Sequence, residues 1–203
     1  MSVWRGRRPL ILASQSRARQ MLLSNAGIPC EAIPAAIDER AIQKQSGLKR
    51  PTDVATLLAL EKARVVAATH PNRTVLGADQ TLALSDRLFD KPAGRSQAAE
   101  QLRALSGKTH ELHSAIALIG DDGRVLDQRV SVARMTMRLL TDEVIEKYLD
   151  AAGAAVTTSV GAYQLEGLGV HLFELVEGDH FTILGLPLMI LLPILRDNGL
   201  IEI

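Results

Sequence analysis

Short apolar runs alternate along this chain with longer, capped stretches of helical character, and that alternation constrains the fold more than any other feature. Residues 10–13 form an apolar run too short for a helix, which predicts a buried strand. The polar turn Ser14-Gln15-Ser16 follows and can cap a helix from about Arg17 to Ala26. Residues 28–33 read as a second strand. Thr52 can cap a long helix to about Thr69, closed by Pro71. Residues 75–78 are apolar again, and the run stops at Asp79. Ser96 opens a helix that ends near Ser106-Gly107. Two β-rich runs follow, 110–120 and 124–138, joined by Asp121-Asp122-Gly123, a hairpin signal. Thr141-Asp142-Glu143 starts a helix with acids in its first turn, residues 170–176 read as a strand, and a last helix is predicted after Pro187. This order predicts an α/β protein with a mixed sheet.

With 47% hydrophobic and 23% charged residues, a chain of 203 residues can bury a stable core, as one domain or as two small lobes sharing one core. Aromatics make up only 3%, so that core is aliphatic. The formal net charge is zero, 23 basic against 23 acidic residues. A binder of polymeric nucleic acid carries a basic excess, which argues against that partner class, whereas a small anion needs only a local cluster of cations. Cys30 is the single cysteine, which excludes an internal disulfide and fits a reducing compartment. It has no visible partner to activate it and reads as a buried structural thiol. The apolar run after Arg5, Arg7 and Arg8 is too short for a signal peptide, and residues 183–195 are too short to cross a bilayer. No membrane association and a cytoplasmic location are expected.

Several residues could carry chemistry. Ser14 and Ser16 sit between a strand and a helix, where they serve as N-caps or help bind an anion. Arg19 lies within the first helical turns, either as a surface arginine or as a phosphate contact. Asp79 follows an apolar run at what reads as a strand end, where α/β sheets place ligands; a turn aspartate is the other reading. Gly77 allows close backbone approach. Lys62 shares a helical face with Leu58, Val65 and Val66, so it snorkels or projects toward a ligand. Lys91-Pro92 is a rigid turn bearing one cation. The five histidines show no zinc-type spacing, and there is no Walker-type loop or dinucleotide fingerprint. Carboxylates suit a hard cation such as magnesium or manganese.

In order along the chain come Leu12-Ala13-Ser14-Gln15-Ser16, Ile37-Asp38-Glu39, Glu61-Lys62-Ala63, Gly77-Ala78-Asp79, Lys91-Pro92, Leu105-Ser106-Gly107-Lys108-Thr109-His110, Gly161-Ala162-Tyr163 and Gly185-Leu186-Pro187. Together they resemble the Maf (septum-formation) family of nucleotide pyrophosphatases, from about residue 10 to the end. The resemblance implies one domain over residues 1–203 with a Maf/ITPase-like α/β fold. In that fold an elongated mixed sheet is flanked by helices, with two lobes around a central cleft, often in a homodimer. It also implies hydrolysis of a nucleoside triphosphate to the monophosphate and pyrophosphate with a divalent cation, magnesium or manganese, and a house-cleaning role toward non-canonical nucleotides. By position, Asp79 matches the catalytic base or a metal ligand, and Glu39 an acid near the metal. Ser14, Arg19, Lys62 and Lys91 match phosphate contacts.

The chain also departs from the common family pattern. Ser-Pro-Arg-Arg is here Ser16-Arg17-Ala18-Arg19, Gly-Ala-Asp-Thr is Gly77-Ala78-Asp79-Gln80, and Tyr-x-Ile-Gln-Gly is Tyr163-Gln164-Leu165-Glu166-Gly167. A lysine common before Ala-Gly-Ala-Tyr is replaced by Ser159. Gln80 and Glu166 are similar to the branch acting on 7-methyl-GTP, while threonine and glutamine mark the branch acting on dTTP and UTP. A carboxylate can accept both donors of guanine's Watson–Crick edge and attracts a cationic methylated ring. Ala18 stands where the 7-methyl-GTP branch often has a tryptophan, so it is a third specificity position. The competing readings are a dTTP or UTP pyrophosphatase of the same family and a non-catalytic cell-division regulator that keeps the fold.

Overall fold

Three consecutive aliphatic residues begin the first strand of the computed structural model, which describes residues 3–203. This strand, β1 (Leu10–Leu12), is wholly buried, as a strand covered on both faces must be. Helix α1 (Arg17–Asn25) follows, with Ser16 as N-cap accepting from the Arg19 backbone N–H. Then come β2 (Cys30–Ala32), α2 (Glu39–Ser46) and α3 (Pro51–Thr69). Pro51, pre-set for a first helical turn, begins α3, and the cap position is Arg50 rather than the expected Thr52.

Strand β3 (Val75–Leu84) turns at Ser85 and Asp86 into β4 (Arg87–Phe89). Helix α4 (Arg95–Leu105), β5 (Thr109–Ile119) and β6 (Val125–Met137) follow. The predicted hairpin turn at Gly123 joins β5 to β6, with Gly123 N–H donating to the Gly120 carbonyl over 3.0 Å. Helix α5 (Asp142–Ala152), β7 (Phe173–Glu177), the short α6 (His180–Ile183) and α7 (Leu188–Asp197) complete the chain. Among the described residues the sheet is mixed, in the order β2-β1-β3-β5-β6-β7, with β4 beside β3.

Three further expectations are corrected. Residues 75–78 do not end a strand at Asp79, because β3 runs on to Leu84. Asp79 and Gln80 stay in the strand with partnered side chains, Asp79 on Lys62 and Gln80 on Ser114 and the carbonyls of Thr182 and Ile183. The strand expected over residues 170–176 starts only at Phe173, because Leu168–Leu172 coil into a 3-10 turn. Cys30 is half-buried against the core rather than enclosed in it, and burial pushes its thiol above the usual range.

The chain divides into two interleaved units. The first holds the segment up to Gln80, Ser114–Ser131 and Asp179–Ile203; the second holds Thr81–His113 and Val132–Gly178. In the first, strand side chains alternate between two apolar layers. Leu10, Leu12, Leu76, Ala78, Ile116 and Leu118 pack with α1 and α7 residues such as Leu23, Leu191 and Leu195. Ile11, Ala13, Val75, Ala115 and Ala117 pack on the alanine-rich face of α3, at Ala55, Ala59 and Ala63. In the second unit, α4 and α5 are joined by Arg95 to Glu146 (2.6 Å) and Arg103 to Asp142 (2.6 Å). Buried His110 and Tyr163 form an aromatic cluster there with the partly buried Phe173.

Candidate active site

The parallel strand β1 stops at Leu12, level with Leu76 of β3, and the chain turns away there into α1. Strand β3 continues past that point, so Asp79 lies three residues beyond the carboxyl end of its neighbour. The expected strand end at Asp79 is therefore not found, and the carboxyl edge beside it is that of β1.

Gly77 brings α3 onto the strand at this level. A Cβ there would lie 2.0 Å from the Ala59 carbonyl oxygen and 2.9 Å from the Ala63 Cβ, so only glycine permits the contact. Asp79 shares the face of Gly77, two residues on, and Lys62 lies on α3 between those alanines. The Lys62 Nζ donates to Asp79 Oδ1 over 2.6 Å. It also contacts Glu39 Oε1, at the first residue of α2, over 2.8 Å. Side-chain exposure is 7% for Asp79 and 11% for Lys62 against 51% for Glu39, so one ammonium joins a buried carboxylate to a half-exposed one. Burial pushes the Asp79 carboxyl above the usual range, opposed first by Lys62 and then by Arg19. The second oxygens of Asp79 and Glu39 make no bond among the described residues.

Arg19 is 9% exposed and held on three sides. Its Nε donates to the Gly185 carbonyl (2.8 Å), and its Nη1 donates to the Ala78 carbonyl (2.7 Å) and to Ser14 Oγ (3.0 Å). Burial pushes its pKa down, opposed by the charges of Asp79 and Glu39, and the guanidinium remains a cation. Its Nη2 makes no hydrogen bond to another described residue. Ser14 Oγ accepts from Arg19 and from the Ser16 N–H (3.2 Å), so the hydroxyl hydrogen is also left to donate.

The structure thus brings together Ser14, Arg19, Glu39, Lys62 and Asp79 in the first unit. Ala18 is half-buried on α1 of the same unit. Gln80 turns its amide nitrogen to Ser114 Oγ (2.8 Å) and to the carbonyls of Thr182 and Ile183 (both 3.0 Å). Lys91 and Glu166 belong to the second unit, each exposed on a turn and without a hydrogen bond or ion pair to another described residue. Sequence reasoning missed Ser114, Thr182 and the Gly185 carbonyl. Ser114, a lone hydroxyl in the apolar run of β5, was the available signal.

The Maf-like protein family matches residues 9–198, a span that includes every residue of this cluster. The chain belongs to the Maf family. Similar Maf relatives include a nucleoside triphosphate pyrophosphatase of Nitrobacter hamburgensis, 64% identical over 203 residues and covering 100% of both chains. One of the same name from Bradyrhizobium diazoefficiens is 63% identical, again over 100% of each. A 7-methyl-GTP pyrophosphatase of Rhizobium etli is 53% identical over 196 residues, covering 95% of this Maf chain and 98% of that protein.

Proposed function

We propose that this Maf protein is a hydrolase that converts nucleoside triphosphates to the monophosphate and pyrophosphate at the Asp79 cluster, with 7-methyl-GTP as its preferred substrate. The buried Asp79–Lys62 pair beside Arg19 carries this reading. The names of the full-length relatives support the reaction class, and that of the Rhizobium etli relative supports the base.

Hydrolysis requires a water oxygen to bond to the α-phosphorus while the bond from that phosphorus to the bridging oxygen breaks and pyrophosphate leaves. Asp79, with one carboxylate oxygen engaged by Lys62, either accepts the water proton at the other oxygen or uses it to hold a cation that acidifies that water. Arg19 Nη2, the Ser14 hydroxyl and the N-terminus of α1 bind phosphate oxygens, the positioning and charge stabilisation on which phosphoryl transfer depends. Lys91 joins them by family resemblance. Asp79 and Glu39 balance Lys62 and Arg19 in charge, so a triphosphate calls for a further cation. The two carboxylates, each with one unengaged oxygen, fit a hard ion of the magnesium or manganese type, which takes one or two carboxylates and fills its shell with water and phosphate. Such an ion, held by Asp79 and Glu39, would supply Lewis acidity and offset phosphate charge. Family resemblance also supports a homodimer.

Pyrophosphate release with magnesium or manganese over a panel of 7-methyl-GTP, GTP, UTP and dTTP tests the proposal. Turnover greatest on 7-methyl-GTP and lost in Asp79→Asn is the expected result. No release from any of the four would overturn the enzymatic reading, and a preference for UTP or dTTP would overturn the base assignment.

A further inference from the structure

Gln80 follows the buried acid, so its side chain lies on the opposite face of β3, and there its amide nitrogen is fully committed. An amide NH2 has two hydrogens, and three acceptors surround this one: Ser114 Oγ at 2.8 Å and the carbonyls of Thr182 and Ile183 at 3.0 Å. Ser114, fully buried, passes its own hydrogen to the Thr182 carbonyl over 2.7 Å. The Thr182 hydroxyl is bonded in turn to Ser131 Oγ (2.9 Å) and Asp179 Oδ2 (3.0 Å). No donor of Gln80 is left to read a nucleotide base.

These bonds instead fix the backbone of residues 182–185, the turn whose last carbonyl holds Arg19. Gly185 has φ +86°, and a Cβ there would meet Arg19 Nε and Nη2 at 3.4 Å and Gln80 Oε1 at 3.7 Å. The turn is therefore in contact with both side chains at once. Arg19 Nε has a single hydrogen, spent on the Gly185 oxygen at 2.8 Å, so the placement of that oxygen orients the guanidinium plane and aims Nη2.

We propose that Gln80, with Ser114, is a positioning residue for Arg19: it bolts the 182–185 turn to the sheet, acts on the phosphate end of the substrate, and does so equally for every base. The proposal deepens the function above and rests on it for the identity of the ligand.

A double-mutant cycle between Gln80 and Arg19 tests this coupling. Binding of inorganic tripolyphosphate is measured by calorimetry for the wild type, Q80M, R19K and the double variant, alongside KM and kcat for 7-methyl-GTP and UTP. Q80M should weaken tripolyphosphate binding by roughly tenfold, the scale of one misplaced hydrogen bond to a charged group. It should raise KM for both nucleotides by the same factor and change kcat by no more than about twofold. In the R19K background it should have no further effect, and S114A should move the same quantities in the same direction. Additive losses, a changed ratio of KM between the two nucleotides, or tripolyphosphate binding untouched by Q80M would each overturn the proposal. If Q80M does not fold, the S114A and R19K cycle decides by the same criteria. Should the wild type turn over no nucleotide, the hydrolase reading fails, and the tripolyphosphate cycle still decides the positioning role; a wild type that binds no tripolyphosphate overturns both.

Discussion

Lowering the pH should destabilise this protein through His110, and the size of the effect follows from where that ring sits. His110 is 1% exposed, with Nε2 placed 2.6 Å from the Tyr163 hydroxyl and Nδ1 enclosed without a partner. Burial lowers its pKa from 6.5 to about 4. The folded state thus binds this proton less readily than the unfolded chain, so the stabilisation is present above pH 6.5 and is lost as pH falls through about 4. At about 1.36 kcal/mol for each pH unit the whole effect is capped at roughly 3.4 kcal/mol, of which roughly 2 kcal/mol falls between about pH 7 and pH 5. His110→Phe keeps a ring beside Tyr163 and Phe173, whose centroids lie 5.6 and 5.9 Å from that of the histidine, and removes the titration. It also strands the Tyr163 hydroxyl, a penalty of about 1–3 kcal/mol that does not vary with pH in this range. Denaturant unfolding of both proteins at the two pH values separates the contributions, since other titrating groups cancel in the comparison. The wild type should lose roughly 2 kcal/mol more than the variant between about pH 7 and pH 5. Equal losses would refute the assignment of this pH dependence to His110.

The Asp79 cluster gives an asymmetric pair of substitutions. Lys62→Met leaves a buried carboxylate without its cation and should cost about 3–5 kcal/mol at neutral pH. Asp79→Asn should cost less, because Lys62 keeps Glu39; equal unfolding midpoints would contradict that order. Gly77→Ala drives a Cβ onto the Ala59 carbonyl 2.0 Å away and should lower stability by about 3 kcal/mol, read from thermal or denaturant unfolding, with turnover falling as α3 is displaced. Glu166→Gln should weaken selection for 7-methyl-GTP and improve turnover of UTP or dTTP, and an unchanged substrate profile would count against that role.

The longer strands and helices were legible in the sequence, and α2, β4 and α6 were missed. The cap at Thr141 and the hairpin at Gly123 follow from local chemistry that the tertiary structure leaves in place. Helix α2 has no fully buried residue, so no apolar period marks it; its signals were the Asp38 cap and Gly47 in the left-handed conformation after its end. Helix α6 spans only four residues, too few to show a period, and is set by Asp179 accepting from two backbone N–H groups.

Asp79 shows how a strand boundary comes to be misread. A carboxylate after four apolar residues reads as a strand end because a charge cannot enter a core alone. In this fold Lys62 follows the strand into the core, delivered by a helix that Gly77 lets approach, and the strand passes straight through. The edge beside Asp79 belongs to β1, which ends at Leu12 before Ser14 and the start of α1. Reading the site needed two strands in register, and the sequence presents them one at a time. The Gly185 carbonyl is harder still, since a backbone acceptor has no residue type, and its partner Arg19 lies 166 positions away. Sequence leaves Arg19 open as a surface arginine or a phosphate contact; only its burial creates the requirement for acceptors, which the Ala78 and Gly185 carbonyls meet.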